Sequence, residues 1–166
     1  MADPNLRPSV RAVILDDQDR VLLCQFDLPT QGVVVWATPD GGIEAAESLL
    51  EALTRELDEE LSLVVVDEPP HVWHQRVVAE GHAEGYDGVI NDYYLIKTDN
   101  FTPIGSLGAE ILRAENITRF RWWSLAELQN YRGDAIFGPT RPGYIAAAVT
   151  QRRCAAGAAG HRALNR

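Results

Sequence analysis

Glu56, Glu59 and Glu60 crowd a short stretch of the chain. At about 100° per residue, a helix would gather them into roughly one quadrant of its surface. Left alone, carboxylates spaced i,i+3 and i,i+4 repel and weaken a helix by about a few tenths of a kcal/mol per pair. A hard divalent cation reverses that sign, because Mg²⁺ prefers oxygen ligands completed by water and substrate phosphates. The trio is therefore a candidate site for a divalent cation that could also meet substrate phosphates. A glutamate trio by itself usually marks only a solvated helix face, so its surroundings must carry the case.

Those surroundings are specific. Arg55 precedes the trio, and Glu47 lies about two turns earlier, near enough in angle for the arginine to reach back. We read the pair as a brace that orients the helix start. Upstream, Pro39, Asp40, Gly41 and Gly42 read as a loop that needs unusual backbone angles. Such a loop would leave backbone amides at the helix N-terminus for an anion or a metal-bound phosphate.

The elements that must position these groups follow from hydrophobic periodicity. Ser9 to Leu15 and Arg20 to Phe26 are apolar runs separated by a polar turn, which predicts a β-hairpin. Gly32 to Thr38 is a third strand candidate. From Ala45 to Leu61 the period becomes helical, with Ala46, Leu50, Leu53, Leu57 and Leu61 on one stripe clear of the glutamates. Leu63 to Val66, His71 to Ala79 and Val89 to Thr98 read as strands, giving a mixed sheet. Asn100 to Asn116 shows no period and is expected to be a long loop. Arg119 to Trp123 is a short strand, Ser124 with Glu127 predicts a capping box, and a last helix is expected over Pro142 to Arg153.

At 166 residues the chain suits one domain, expected over 1–153, with an Ala/Gly-rich tail over 154–166 that should fray. The formal net charge of -9 argues against a nucleic-acid polymer as partner. A small phosphate compound remains compatible when cations stand between the two anions. Lys97 is the only lysine, so arginines would supply direct contacts to phosphate. No apolar run is long enough to span a bilayer and the start lacks a secretory apolar stretch, so no membrane partner and a cytoplasmic location are expected. Cys24 and Cys154 form no CxxC pair, which leaves out the usual thiolate metal sites.

Taken together, the segment resembles the Nudix box, G-x5-E-x7-R-E-U-x-E-E-x-G-U with U a bulky aliphatic residue. Gly41, Glu47, Arg55, Glu56, Leu57, Glu59, Glu60 and Leu63 fill eight of the nine specified places over a 23-residue window. Trp36 and Pro39 stand before the box as they commonly do in that family. The chain is similar to the family from about Ser9 to its last helix, most strongly at the box. Two positions depart. Ser62 replaces a glycine that would suit a left-handed helix end, at a cost of up to about 1 kcal/mol if that geometry persists. Asp40 replaces a common glycine whose backbone carbonyl often serves as a metal ligand.

The resemblance implies an α/β fold, the Nudix α/β/α sandwich, with a mixed sheet, the box helix on one face and later helices on the other. It also implies that Glu56, Glu59 and Glu60, with Asp40 beside them, hold Mg²⁺ or Mn²⁺, and that a metal-activated water attacks a diphosphate. Glu56, Glu60, Arg55 and Glu47 form the implied catalytic set. Gly41, Gly42, Arg76 and Glu115 are the candidate substrate contacts. The general base is Glu56 first, with Glu110 and Glu115 as alternatives. The substrate would be a small nucleotide, either a nucleoside diphosphate derivative or a nucleoside triphosphate, and a homodimer is possible within the family. The competing reading is a Nudix-fold module that senses a nucleotide without turning it over; three mutually repelling glutamates speak against it.

The remaining candidates are weaker. His71 and His74 are an odd number of residues apart, so on a regular strand they point to opposite faces and cannot chelate together. Arg76, Arg113 and Arg121 could meet phosphates. Trp36, Trp73, Trp122 and Trp123 are better explained by packing than by base stacking.

Overall fold

β1 (Leu6–Leu15) alternates Val10, Ala12 and Ile14 on one side with Ser9, Arg11 and Val13 on the other, so it has two buried faces to satisfy. In the computed structural model, which describes residues 3–79, 81, 83–104, 108–138 and 163–165, β1 pairs along its whole length in parallel with β7 (Gly88–Lys97). Its other edge is divided. β2 (Val21–Leu28) meets it only at Leu15 and Val21, while β4 (Asp40–Gly42) occupies Ser9 to Arg11. The expected hairpin therefore closes only at its tip. There the buried Asp16 carboxylate accepts from the amides of Gln18 and Arg20 and from the Arg20 guanidinium at 2.7 Å.

Beyond the tip β2 diverges to pair with β3 (Val33–Ala37) and β8 (Ile117–Trp123). The full path runs β6 (His71–Val78), β7, β1, β2, β3, β9 (Ile136–Phe137). On one face Val10, Ala12, Ile14, Leu22, Tyr94 and Ile96 pack against Ala52, Leu53, Leu57 and Leu61 of α1 (Leu49–Leu61). On the other, Val13, Leu15, Leu23, Tyr93 and Leu95 pack with Trp36, Trp123 and Leu128 of α3 (Leu125–Asn130). Each such leucine contributes about 1.5–3 kcal/mol by leaving water. This is the mixed sheet with helices on both faces that the box implied.

Several boundaries differ from the sequence reading. α1 starts at Leu49, not near Ala45, because Ser48 and Glu51 form a capping box and Ala46 sits at φ 67, outside any helix. The segment 100–116 contains α2 (Ala109–Ala114), too short to generate a helical period. Pro39 to Gly42 is largely strand β4, and neither Gly41 nor Gly42 has a positive φ. Among residues expected to fray, Ala163–Asn165 forms β10, antiparallel to β5 (Leu63–Val65). The helix expected over 142–153 and Cys154 lie outside the described residues. No helix among the described residues is long and apolar enough to cross a membrane.

Candidate active site

α1 delivers its acidic residues at two levels. At the first, Arg55 acts as a clamp: its Nε donates to Glu47 Oε1 at 2.8 Å and Nη2 to Glu47 Oε2 at 2.9 Å. Nη2 also donates to the Gly42 carbonyl at 3.0 Å, and Nη1 to Glu56 Oε1 at 2.7 Å. A planar guanidinium with five donors can hold one carboxylate bidentately and still reach two more acceptors. The clamp ties the turn before the helix, strand β4 and the first acid of the trio into one unit. Hydrogen bonds from Arg55 hold the Glu47 carboxyl down at about 2.

The glycines of β4 are there for proximity. A side chain at Gly41 would collide with the Glu56 carboxylate, and one at Gly42 with the Arg7 guanidinium. The expectation of a loop with special backbone angles is thus corrected: at Gly41 the requirement is steric, set by Glu56 arriving from α1. Before and at the start of the helix, three amides are already engaged. Ser48 Oγ accepts from the Glu51 amide, Glu51 accepts from the Ser48 amide, and Glu47 accepts from the Glu44 amide. The chain's own oxygens thus occupy the Glu44, Ser48 and Glu51 amides.

At the second level one acid keeps an oxygen without a protein partner. Glu60 is only 2 % exposed, beside the leucine stripe instead of clear of it, and its Oε2 has no hydrogen-bond partner. Burial first, then the charges of Asp40, Glu56, Glu115 and Glu59, hold Glu60 well above the ordinary carboxylate range. Burial also raises Glu56, against the pull of Arg55. The same charges reach Cys24, whose buried thiol is pushed up by burial and then by Glu60 and Asp40. Leaving a buried carboxylate unpaired is costly, so the unpartnered Glu60 oxygen fits a role as one ligand of a divalent cation. Glu59 lies farther out, with Arg55 Nη1 at 3.5 Å.

The structure thus brings together Glu47, Arg55, Glu56, Glu59, Glu60, Asp40, Gly41, Gly42 and, through its charge on Glu56 and Glu60, Glu115. Arg76 is exposed on β6, and among the described contacts nothing ties it to the group. Arg121 pairs with Glu127 at 2.7 Å and lies 3.8 Å over the Trp123 ring. The tryptophans pack: Trp36 and Trp123 meet edge to face and Trp73 stacks on Tyr93. Sequence reasoning missed Arg11, which pairs with Asp40 at 3.1 Å, donates from Nε to Asn91 at 3.0 Å and leaves Nη1 buried without a partner. The signal was present in β1, where Arg7, Ser9 and Arg11 alternate with apolar residues. Beside Arg11 and Asp40 opens a cleft of about 620 Å³ walled by Phe26, Leu28, Val35 and Ile136.

Comparison with known proteins fits this geometry. A family model described as NUDIX domain matches residues 5–141. An RNA pyrophosphohydrolase of Halorhodospira halophila is 43% identical over 61 residues, 37% of this chain and 32% of that protein. An RNA pyrophosphohydrolase of Campylobacter jejuni is 29% identical over 104 residues, 57% of this chain and 65% of that one. The chain thus spans less than two thirds of each relative's length. A NUDIX hydrolase from Nitrosomonas europaea superposes with a TM-score of 0.62 at 22% identity, covering 88% of this chain and 90% of that one. A MutT NUDIX hydrolase from Burkholderia pseudomallei gives 0.57 at 19% identity, covering 84% and 95%. At those identities the two structures speak for the fold.

Proposed function

The chain belongs to the NUDIX domain family, and from that premise we propose that it is a Mg²⁺- or Mn²⁺-dependent hydrolase that cleaves the diphosphate linkage of a nucleoside diphosphate derivative or a nucleoside triphosphate. The observation that carries the proposal is Glu60, buried and without a partner at Oε2 among the charges of Asp40, Glu56 and Glu115. A fold keeps such a group only where something compensates it. Glu56, Glu59 and Glu60 would hold the ion, with Asp40 alongside. When bound, the ion lowers the pKa of water and neutralises charge on phosphoryl oxygens.

The chain's own residues do the rest. Arg55 fixes Glu56 at one oxygen and leaves the other for a proton from the attacking water. The raised proton affinity of Glu56 suits a general base, and Glu115 stands second. Arg11 lines the cleft where an anionic substrate would enter. The formal net charge of -9 favours a small nucleotide over a polymer. The names of the similar proteins favour a second substrate reading, the 5′ end of RNA.

The test is a panel of nucleotides and a 5′-triphosphorylated RNA oligonucleotide, incubated with Mg²⁺ and then phosphatase, with released phosphate as readout. We expect turnover of small nucleotides, reduced about 10²-fold or more in Glu60→Gln. Faster turnover of the RNA would replace the small-nucleotide reading. Tight nucleotide binding with no turnover of any substrate would make the protein a sensor.

A further inference from the structure

At the far edge of the sheet the antiparallel pair β6–β7 carries a second group of metal-ligating atoms. On a regular strand His71 and His74 would point to opposite faces, which was the sequence expectation. A register shift between His71 and Trp73 changes that. One irregularity turns a strand by one residue, so His71, opposite Tyr94, and His74, opposite Asp92, emerge on the same side. The expectation that the two cannot act together is therefore corrected.

Both rings reach one atom. His71 Nε2 and His74 Nδ1 each lie 2.8 Å from Asp92 Oδ1, and the three ligand atoms fall within 4.8 Å of one another. Ligands about 2.0–2.1 Å from a common ion stand about 2.9 Å apart at right angles and about 3.4 Å apart in a tetrahedron. The nitrogen–oxygen spacings are those of hydrogen bonds and also match the first arrangement, and ring rotation would turn both nitrogen lone pairs toward a common ion. Such rotation is open to the imidazoles, whose side chains are 42% and 56% exposed, whereas Asp92 is held at 15%. The His71 ring is further set by an edge contact with Tyr94 at 5.2 Å.

We propose that His71, His74 and Asp92 form a second metal site, selective for a borderline divalent ion such as Zn²⁺, that pins edge strand β6 to β7. Ligand chemistry separates it from the glutamate site. Two imidazoles with one carboxylate suit Zn²⁺ and its neighbours, while an all-oxygen set suits Mg²⁺. The remaining coordination positions face solvent, so water would complete the shell. An edge strand pairs on one side only, so a crosslink between its side chains and β7 stabilises the part of the sheet with least support.

The test is calorimetric titration of the full chain with Zn²⁺, with Mg²⁺ in large excess to occupy the glutamate site. One Zn²⁺ per chain is expected, unchanged in Glu60→Gln and weakened at least about tenfold in His74→Gln and in His71→Gln. Co²⁺ in place of Zn²⁺ should give visible absorption bands that both histidine variants lose. Zn²⁺ should also raise the Tm of the wild type and not of His74→Gln. Both substitutions are at exposed positions, and circular dichroism checks that the variants fold. The proposal is overturned by absence of Zn²⁺ uptake, by uptake that survives both histidine substitutions, or by uptake lost only in Glu60→Gln.

Discussion

The two ends of α1 are built on opposite principles. At the N-terminal end every charged group has a partner: Ser48 and Glu51 cap each other, and Arg55 binds Glu47, Glu56 and the Gly42 carbonyl. At the C-terminal end Glu60 is buried with an unpartnered oxygen, and Ser62 is forced to φ 50, ψ 37 in the left-handed region. The first end is satisfied by the protein alone; the second leaves a buried carboxylate oxygen that no protein group compensates. Stability and chemistry thus sit one or two turns apart on a single helix, and substitutions at the two ends should change stability with opposite signs.

The largest effect is expected at Glu60. In metal-free protein Glu60→Gln should stabilise the fold by about 1–3 kcal/mol, since it removes a buried charge and keeps the shape; denaturant melts in chelator measure this, and a destabilised variant would break the contrast. Arg55→Ala should act the other way, costing about 2 kcal/mol by leaving Glu47, Glu56 and a carbonyl without their donor. The same melts should show Ser48→Ala losing about 1 kcal/mol with its cap. Ser62→Gly should gain about 0.5–1 kcal/mol, because glycine takes φ 50 without the penalty of a Cβ.

The contrast also predicts a pH profile. Glu47 titrates at about 2 in the folded chain, below its ordinary value, so its contribution is present above about 4.5 and is lost as pH falls toward 2. Glu60 and Glu56 are raised above the ordinary 4.5, so the folded state holds their protons longer and metal-free stability falls as pH rises past that value. Melts from pH 3 to 8 in chelator should show the upper limb. Mg²⁺ should flatten it, and Glu60→Gln should weaken it without metal. A limb unchanged by both would detach the acids from any cation.

Much of this site was legible in the chain because local rules govern it. Glu47 and Arg55 meet as angular spacing predicts, Ser124 and Glu127 form the expected capping box, and Ser62 adopts the left-handed angle that a replaced glycine implied. What stayed hidden needed partners distant in sequence. The Gly41 requirement comes from Glu56 arriving across a strand-helix gap. Arg11 gains meaning only once β4 lies against β1 and brings Asp40 to it. Arg76, a candidate by residue type alone, turned out to stand on an exposed strand edge.

Residue order alone determined the helix, its acidic face, its braces and the strand runs, because these depend on periods and contacts within a few turns. Tertiary structure decided which acid is buried, which glycine is forced by a neighbour, and that one bulge turns two histidines onto the same side. Burial, close approach and register depend on elements far apart in sequence, and so they become defined only when the sheet assembles around β1.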